Sequence, residues 1–500
     1  MSPLPSGLLL LITVAWPEAR PKPPPGPGLQ EQLENWFVKA SRAAPGTWAI
    51  AVANQDGQLL WAVQPTRPML PASTVKVFTT GFARTVLGGA ARRATRVLGS
   101  GHLDPFDGTW VGGWTLELNG DPTLERAALG GPTLQGLAEE LHRSGVRRLT
   151  GPFDLASATG EVEGVFPGVW DRRHQGRYFA PLVGNITLNE GLVRFAIGPG
   201  PAAGKPPQLR SEAPTGLGDL VEIRARTVAG TRASLRVGRR PGGRYIVTGT
   251  IGARSRTRWF TLTAHEPRAL VESAWARALR SVGIEWDREL EIRPALAIAP
   301  RAVLAQVQSV PFDSIAMEIN RRSVNIGAEL LLRWAAGYQS PAEHLTDHVR
   351  AVTGEFSGVR LVDGSGLSDQ DRVSPLAFIS YLARFPMLPA GRGFPMLLPT
   401  NGVGTLHKLA VGLPGPGIVR AKTGTLADAA TVVGYLGRAE GVLLISLMYN
   451  GRRVSTARRE QWKLFRLLGA EGVLLPEDGL SIGADSQPAA GPDTVWAAKR

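Results

Sequence analysis

Three short pieces of this chain, Ser73-Thr74-Val75-Lys76, Ser323-Val324-Asn325 and Lys422-Thr423-Gly424, hold the side chains that acyl transfer by a serine requires. A serine hydroxyl is a weak nucleophile and needs a base within hydrogen-bond reach. Residues three apart on a helix share a face, with Cβ atoms about 5–6 Å apart, so Lys76 can meet Ser73 directly. Lysine acts as a base only when its pKa falls far below its usual value of about 10.4, which burial and a second cation both promote. Lys422 is the candidate for that cation. Ser323 would relay a proton to the leaving group, while Asn325 would hold the substrate amide and orient Lys76. Lys422 would meet a carboxylate, Thr423 would add a hydroxyl contact, and Gly424 would let substrate backbone approach closely. The N–H groups of Ser73 and Thr425 would bind the developing oxyanion, helped by the helix N-terminus beneath Ser73.

Taken singly, each piece has an ordinary reading. Ser73 could be a first-turn helix residue, Ser323-x-Asn325 a helix cap, and Lys422-Thr423-Gly424 a strand running into a turn. Their order, and the scarcity of lysine at eight residues against 48 arginines, separate the set from chance.

The elements that must position these residues can be read from periodicity. Apolar spacing predicts a helix over Leu29–Ala43, a hairpin over Trp48–Val63 turning at Asp56-Gly57, and a helix starting near Pro71 or Ala72 that carries Ser73 in its first turn. From about residue 96 to 309 the texture changes to short alternating runs rich in Gly and Pro, with one clear helix over Pro267–Val282. Helical period returns over Ile315–Asn320 and Asn325–Ala336, followed by the loop Asp363-Gly364-Ser365-Gly366-Leu367-Ser368. Gly417–Lys422, Ala430–Gly437 and Gly441–Tyr449 read as consecutive strands and Thr456–Leu468 as a closing helix. Hairpin and meander would form one antiparallel sheet, so residues 29–95 and 310–475 make one discontinuous α+β domain interrupted by a mainly-β insertion at 96–309.

Five hundred residues with 43% apolar content suffice for two to four packed domains. The net charge of +14, from 56 basic and 42 acidic residues, is spread along the chain rather than gathered in a block, so a solvated basic surface accounts for it. No zinc-finger, helix-turn-helix or basic-zipper pattern points to nucleic acid. The absence of cysteine excludes disulfides, thiolate metal sites and a cysteine nucleophile. The apolar run Gly7–Trp16, followed by the proline-rich stretch Pro21–Pro27, reads as a secretory signal and linker over residues 1–28, and hence as export to the periplasm or cell envelope. That run is too short to span a bilayer, and no other segment reaches 18 uninterrupted apolar residues, so no stable membrane span is expected. Residues 476–500 read as a disordered tail.

On these motifs the chain resembles the class C low-molecular-mass penicillin-binding proteins, D-alanyl-D-alanine carboxypeptidases/endopeptidases of the penicillin-binding protein 4 (DacB) type. The resemblance runs from about residue 30 to 470. It also rests on Leu118-Asn119-Gly120-Asp121-Pro122-Thr123-Leu124, Tyr178-Phe179-Ala180-Pro181 leading to Leu188-Asn189, the loop at Asp363–Ser368, and Gly404-Thr405-Leu406. The separation of 250 positions from Ser73 to Ser323 fits this family, which inserts two mainly-β domains there, and not a β-lactamase. The resemblance implies a β-lactamase-like sheet with helices on both faces. It further implies hydrolysis of peptidoglycan stem peptides through an acyl-enzyme on Ser73, β-lactams as covalent inhibitors, and no metal or organic cofactor. Trp170 and Tyr178 match aromatic positions beside the family's cleft, which implies contact with the peptide, a core role being the alternative for either. A homodimer is compatible with the chain.

Four residues invite other readings. Val324 replaces the family's usual polar middle residue and is the one feature favouring a non-catalytic cell-wall-binding or scaffolding protein; a β-lactamase or esterase of the same superfamily is the other alternative. Glu190 reads as a plain surface or structural residue rather than as a deacylating base. His344 and His348, four apart on an expected helix, read as a solvated face rather than half of a zinc site.

Overall fold

The computed structural model describes residues 28–160, 163–287 and 302–476. All but the last residue of the expected signal and linker, and all but the first residue of the expected tail, lie outside them. Alternation along one strand explains the main architecture. In β1 (Thr47–Asn54), Trp48, Ile50 and Val52 enter one apolar core while Ala49, Ala51 and Ala53 enter another, as a strand buried on both faces requires. With β2 (Leu59–Val63), β3 (Val419–Leu426), β4 (Ala429–Arg438) and β5 (Gly441–Asn450) it forms a five-stranded antiparallel sheet ordered β3-β4-β5-β1-β2. The expected joining of hairpin and meander is the β1–β5 pairing, running from Thr47 opposite Asn450 to Asn54 opposite Leu443.

Helix α1 (Leu29–Ala43) packs on the face lined by Ile50 and Leu447 and meets the helix Val454–Leu468 there through Trp36, whose indole N–H donates to the Glu460 carbonyl. The opposite face carries α2 (Val75–Leu87), α3 (Phe312–Arg322), α4 (Asn325–Ala336), α5 (Pro341–Thr353) and α6 (Pro375–Arg384) around a core that includes Phe78, Phe312, Leu331, Val349 and Phe378. The closing helix is α7 (Val454–Leu468). The fold is therefore α+β with helices on both faces of the sheet.

Residues from Val97 to Ala305 gather in a separate core. Its first and last strands, Ala94–Leu103 and Ala302–Gln308, pair antiparallel with Gln308 opposite Ala94, so the chain leaves the main body and returns side by side. Among the described residues this region is mainly β, with sheets of six, four and three strands. Besides the expected helix at Pro267–Ser281 it holds a second at Leu134–Arg143, capped by the Thr133 side chain.

Candidate active site

Ser73 sits in a 3-10 turn, Ala72–Thr74, that runs directly into α2. Two glycines make room for it. A side chain at Gly424 would place its Cβ 2.5 Å from the Pro71 carbonyl and 2.9 Å from the Ser73 nitrogen, so β3 presses against this turn. At Gly366, in the Asp363–Ser368 loop, φ is +72° and a Cβ would fall 1.9 Å from the Ala72 carbonyl. Only glycine fits a positive φ at such a close approach.

The Nζ of Lys76 lies 3.1 Å from Ser73 Oγ, 2.6 Å from Asn325 Oδ1 and 2.6 Å from the Ser365 carbonyl. A neutral amine has two N–H bonds and one lone pair. The two short acceptors take both protons and leave the lone pair for the Ser73 hydroxyl, which is the geometry of a general base. Burial pushes the Lys76 ammonium down to about 7, against the opposite pull of Asp363, Glu329 and Asp371.

Asn325 begins α4 and its amide nitrogen donates to the Phe179 carbonyl at 2.9 Å, so the inserted region reaches into the site. Ser323 caps α3 in the left-handed conformation (φ 60°), and the Lys422 ammonium donates to its Oγ at 2.9 Å and to the Thr423 carbonyl at 2.7 Å. Lys422 is fully buried on β3 and held well below the usual lysine range by burial first, then by Lys76 and Arg458. Among the described residues no carboxylate pairs with it. Thr423 is buried and Thr425 exposed at the free edge of β3. A cleft of about 410 Å³ opens here, lined by Ser73, Tyr178, Arg322, Asn325, Leu367 and Thr425 among others.

The structure brings together Ser73, Lys76, Ser323, Asn325 and Lys422 through Gly424, with Thr425 and Tyr178 on the cleft wall. Trp170 stands elsewhere. It is 2% exposed within a cluster with Ile326, Leu330 and Leu367, and its indole N–H donates to Asp363 Oδ2 at 3.1 Å. It supports the loop from behind, which is the core role, whereas Tyr178 is 69% exposed. Val324 packs against the same cluster, which gives an apolar residue at that position a physical reason.

Several supporting residues escaped the sequence reading. Asp363 accepts the backbone N–H groups of Ser365, Gly366, Leu367 and Ser368, closing the loop that offers its carbonyl to Lys76. Glu329 accepts from Gly364 N–H at 3.1 Å and Asp371 from Val362 N–H at 2.8 Å, and burial pushes both carboxyls up. Glu190 binds Arg322, beside Ser323, and lies 3.8 Å from Arg126, in keeping with a structural role. His344 is exposed, but His348 is not on a solvated face. It packs among Phe82, Tyr381 and Phe385 with its Nε2 3.0 Å from the Tyr381 hydroxyl. No cluster of three metal-ligating side chains occurs among the described residues.

A half-buried serine facing the cleft, backed by a buried lysine at the foot of a helix and crossed by a second lysine on the edge of a five-stranded antiparallel sheet, defines a serine acyl-transferase with the penicillin-binding fold. The chain belongs to the D-Ala-D-Ala carboxypeptidase 3 (S13) family, whose pattern matches residues 29–467, and is a serine-type D-Ala-D-Ala carboxypeptidase. A D-alanyl-D-alanine carboxypeptidase from an Actinomadura species is 26% identical over 447 residues, spanning 85% of this chain and 81% of that protein. The D-alanyl-D-alanine carboxypeptidase DacB of Haemophilus influenzae is 25% identical over 388 residues, 75% of this chain and 78% of the relative. Penicillin-binding protein 4 (dacB) of Haemophilus influenzae superposes with a TM-score of 0.65 at 20% identity, over 86% of this chain and 98% of its own. The same protein complexed with a β-lactam superposes with a TM-score of 0.63 at 20% identity, over 86% of this chain and 99% of its own.

Proposed function

We propose that Ser73 attacks the carbonyl between two D-alanines of a peptidoglycan stem peptide, or of a D-centred cross-link, and carries the acyl group until water releases it. Lys76 takes the serine proton, Ser323 relays it to the leaving amine, and Asn325 holds both Lys76 and the substrate amide. The substrate lies along the free edge of β3, where Thr423 and Thr425 offer their backbone and side chains. Lys422, buried without a carboxylate partner among the described residues, receives the carboxylate of the terminal residue. The observation that carries this reading is the arrangement around Lys76, with two acceptors at 2.6 Å and Ser73 at 3.1 Å.

The same site would take a β-lactam as a substrate mimic and retain it as an acyl-enzyme; the Haemophilus relative has a structure in complex with a β-lactam, which supports binding of that class. Action on stem peptides places the protein in the periplasm or cell envelope. No helix among the described residues is long and apolar enough to cross a membrane, which is compatible with that location. The division into a discontinuous peptidase body and an inserted mainly-β region of two nested domains belongs to this proposal, and the separate cores support it. Incubation with purified cross-linked and uncross-linked muropeptides, followed by mass spectrometry, tests it. D-alanine or resolved cross-links are expected. Binding to sacculi without any release would overturn it in favour of a scaffolding protein.

A further inference from the structure

Arg458 lies on α7, behind β3 and on the opposite side of the sheet from α2, and is half-buried. Among the described residues it has no carboxylate partner. Its Nη2 donates to the Gly424 carbonyl at 2.5 Å and to Thr425 Oγ1 at 3.2 Å, and its Nη1 to Gln461 Oε1 at 2.8 Å. Gln461 in turn donates to the carbonyls of Ala430 on β4 and Leu447 on β5, and the guanidinium stacks 5.2 Å from the centroid of Trp462. The cation is thus clamped in place, and the acceptors it reaches on β3 both belong to the Gly424-Thr425 step.

A guanidinium held half out of water on three protein acceptors, with no counter-ion, gives up solvation and side-chain freedom, so its placement calls for a reason. The peptide group between Gly424 and Thr425 is planar and trans, so its N–H points opposite to its C=O. With the carbonyl drawn toward Arg458, the Thr425 N–H is turned away from α7, and Thr425 lines the cleft beside Ser73. A Cβ on Gly424 would come within 2.9 Å of the Ser73 nitrogen, so the N–H groups of Ser73 and Thr425 stand close together. A charged donor on a carbonyl also polarises the amide and strengthens its N–H as a donor.

We propose that Arg458 is a positioning residue for acyl transfer: by holding the Gly424 carbonyl, it aims and polarises the Thr425 N–H as one of the two donors to the oxyanion. The inference rests on the reading of Ser73 as nucleophile. It assigns to a half-buried arginine, on a helix behind the sheet, control over the charge that develops in the transition state.

The test compares the full-length protein with Arg458→Met and Arg458→Lys, using a penicillin as probe. The acylation rate, the melting temperature and the infrared band of the acyl-enzyme ester carbonyl are measured. Loss of a whole oxyanion donor slows related hydrolases by about 100- to 1,000-fold, so a weakened donor should slow acylation by about 10- to 100-fold in Arg458→Met. Its ester band should move to higher wavenumber, because the carbonyl is less strongly hydrogen-bonded, and Arg458→Lys should recover part of both changes. A wild-type acylation rate in Arg458→Met, or a slow rate with an unmoved band, would overturn the inference. If Arg458→Met does not fold, Arg458→Lys decides alone, since its shorter reach should still shift the band part of the way and an unmoved band refutes the role. A wild-type protein that takes no acyl group at Ser73 would overturn the underlying reading and the inference with it, and that outcome is visible before any variant is made.

Discussion

The Nζ of Lys76 donates to Oδ1 of Asn325 at 2.6 Å, joining the first turn of α2 to the first residue of α4 across 249 positions of sequence. Asn325 thereby takes one of the amine's protons while presenting no charge of its own. Replacing it by a carboxylate would keep the shape and change the electrostatics, because an anion beside an amine raises its pKa.

In the wild type, acylation should rise with pH as Lys76 loses its proton near its lowered value of about 7. Asn325→Asp should shift that rise by one pH unit or more toward alkaline pH, since one unit corresponds to about 1.4 kcal/mol of added stabilisation of the ammonium. Lys76→Ala should abolish acylation across the range. A pH profile of β-lactam acylation checks both, and normal acylation in Lys76→Ala would show that Lys76 is not the base.

Lys422 should matter to carboxylates first. Lys422→Met should raise KM for a peptide ending in a free carboxylate by about 10- to 100-fold, the scale of a lost charge-assisted hydrogen bond. It should have much less effect on the same peptide capped as an amide. Because burial holds Lys422 well below its unfolded pKa, the unfolded chain binds that proton more readily at neutral pH, and the lysine costs stability there. The methionine variant should therefore melt higher than the wild type while working worse. Steady-state kinetics with the two peptides and a thermal melt decide the matter.

The two glycines against the Ser73 turn allow no side chain. Gly424→Ala and Gly366→Ala would drive a Cβ to 2.5 Å from the Pro71 carbonyl and 1.9 Å from the Ala72 carbonyl respectively. Each should reduce acylation at least 100-fold, and Gly366→Ala should also lower the melting temperature because of its φ of +72°. Rates measured against a soluble chromogenic β-lactam would expose a tolerant site.

Acid should weaken the fold through His348. Burial lowers its pKa from 6.5 to about 4, so the folded protein binds its proton less readily than the unfolded chain. Stability is fully present above about 6.5 and falls as pH drops toward 4, by at most about 3 kcal/mol for this one group. His348→Gln should flatten the decline in melting temperature over that window, and an identical slope in both proteins would assign the acid limb to other groups.

Much of the site was readable because its chemistry is carried by residue types at distinctive spacing. Ser73 to Lys76 is a single helical turn, and the helices at Leu29–Ala43 and Asn325–Ala336 have the bounds that apolar period and flanking residues suggest. What escaped was burial of charge. Glu329 sits in a helix buried along Asn325–Leu332, and Arg458 is one of several arginines on an amphipathic helix. Periodicity assigns such residues to water, because it cannot show that a second layer covers them. For Trp170 the sequence leaves both the cleft and the core open. An aromatic near a cleft can face either way, and only the bond to Asp363 fixes which.

The central claim is that Ser73 carries the acyl group, and the intact mass of the protein after exposure to a penicillin tests it most directly. The wild type should gain the mass of one β-lactam, mapped by peptide digestion to Ser73, and Ser73→Ala should gain none. An adduct of the same mass that persists in Ser73→Ala, or a wild type that gains nothing, would contradict the account.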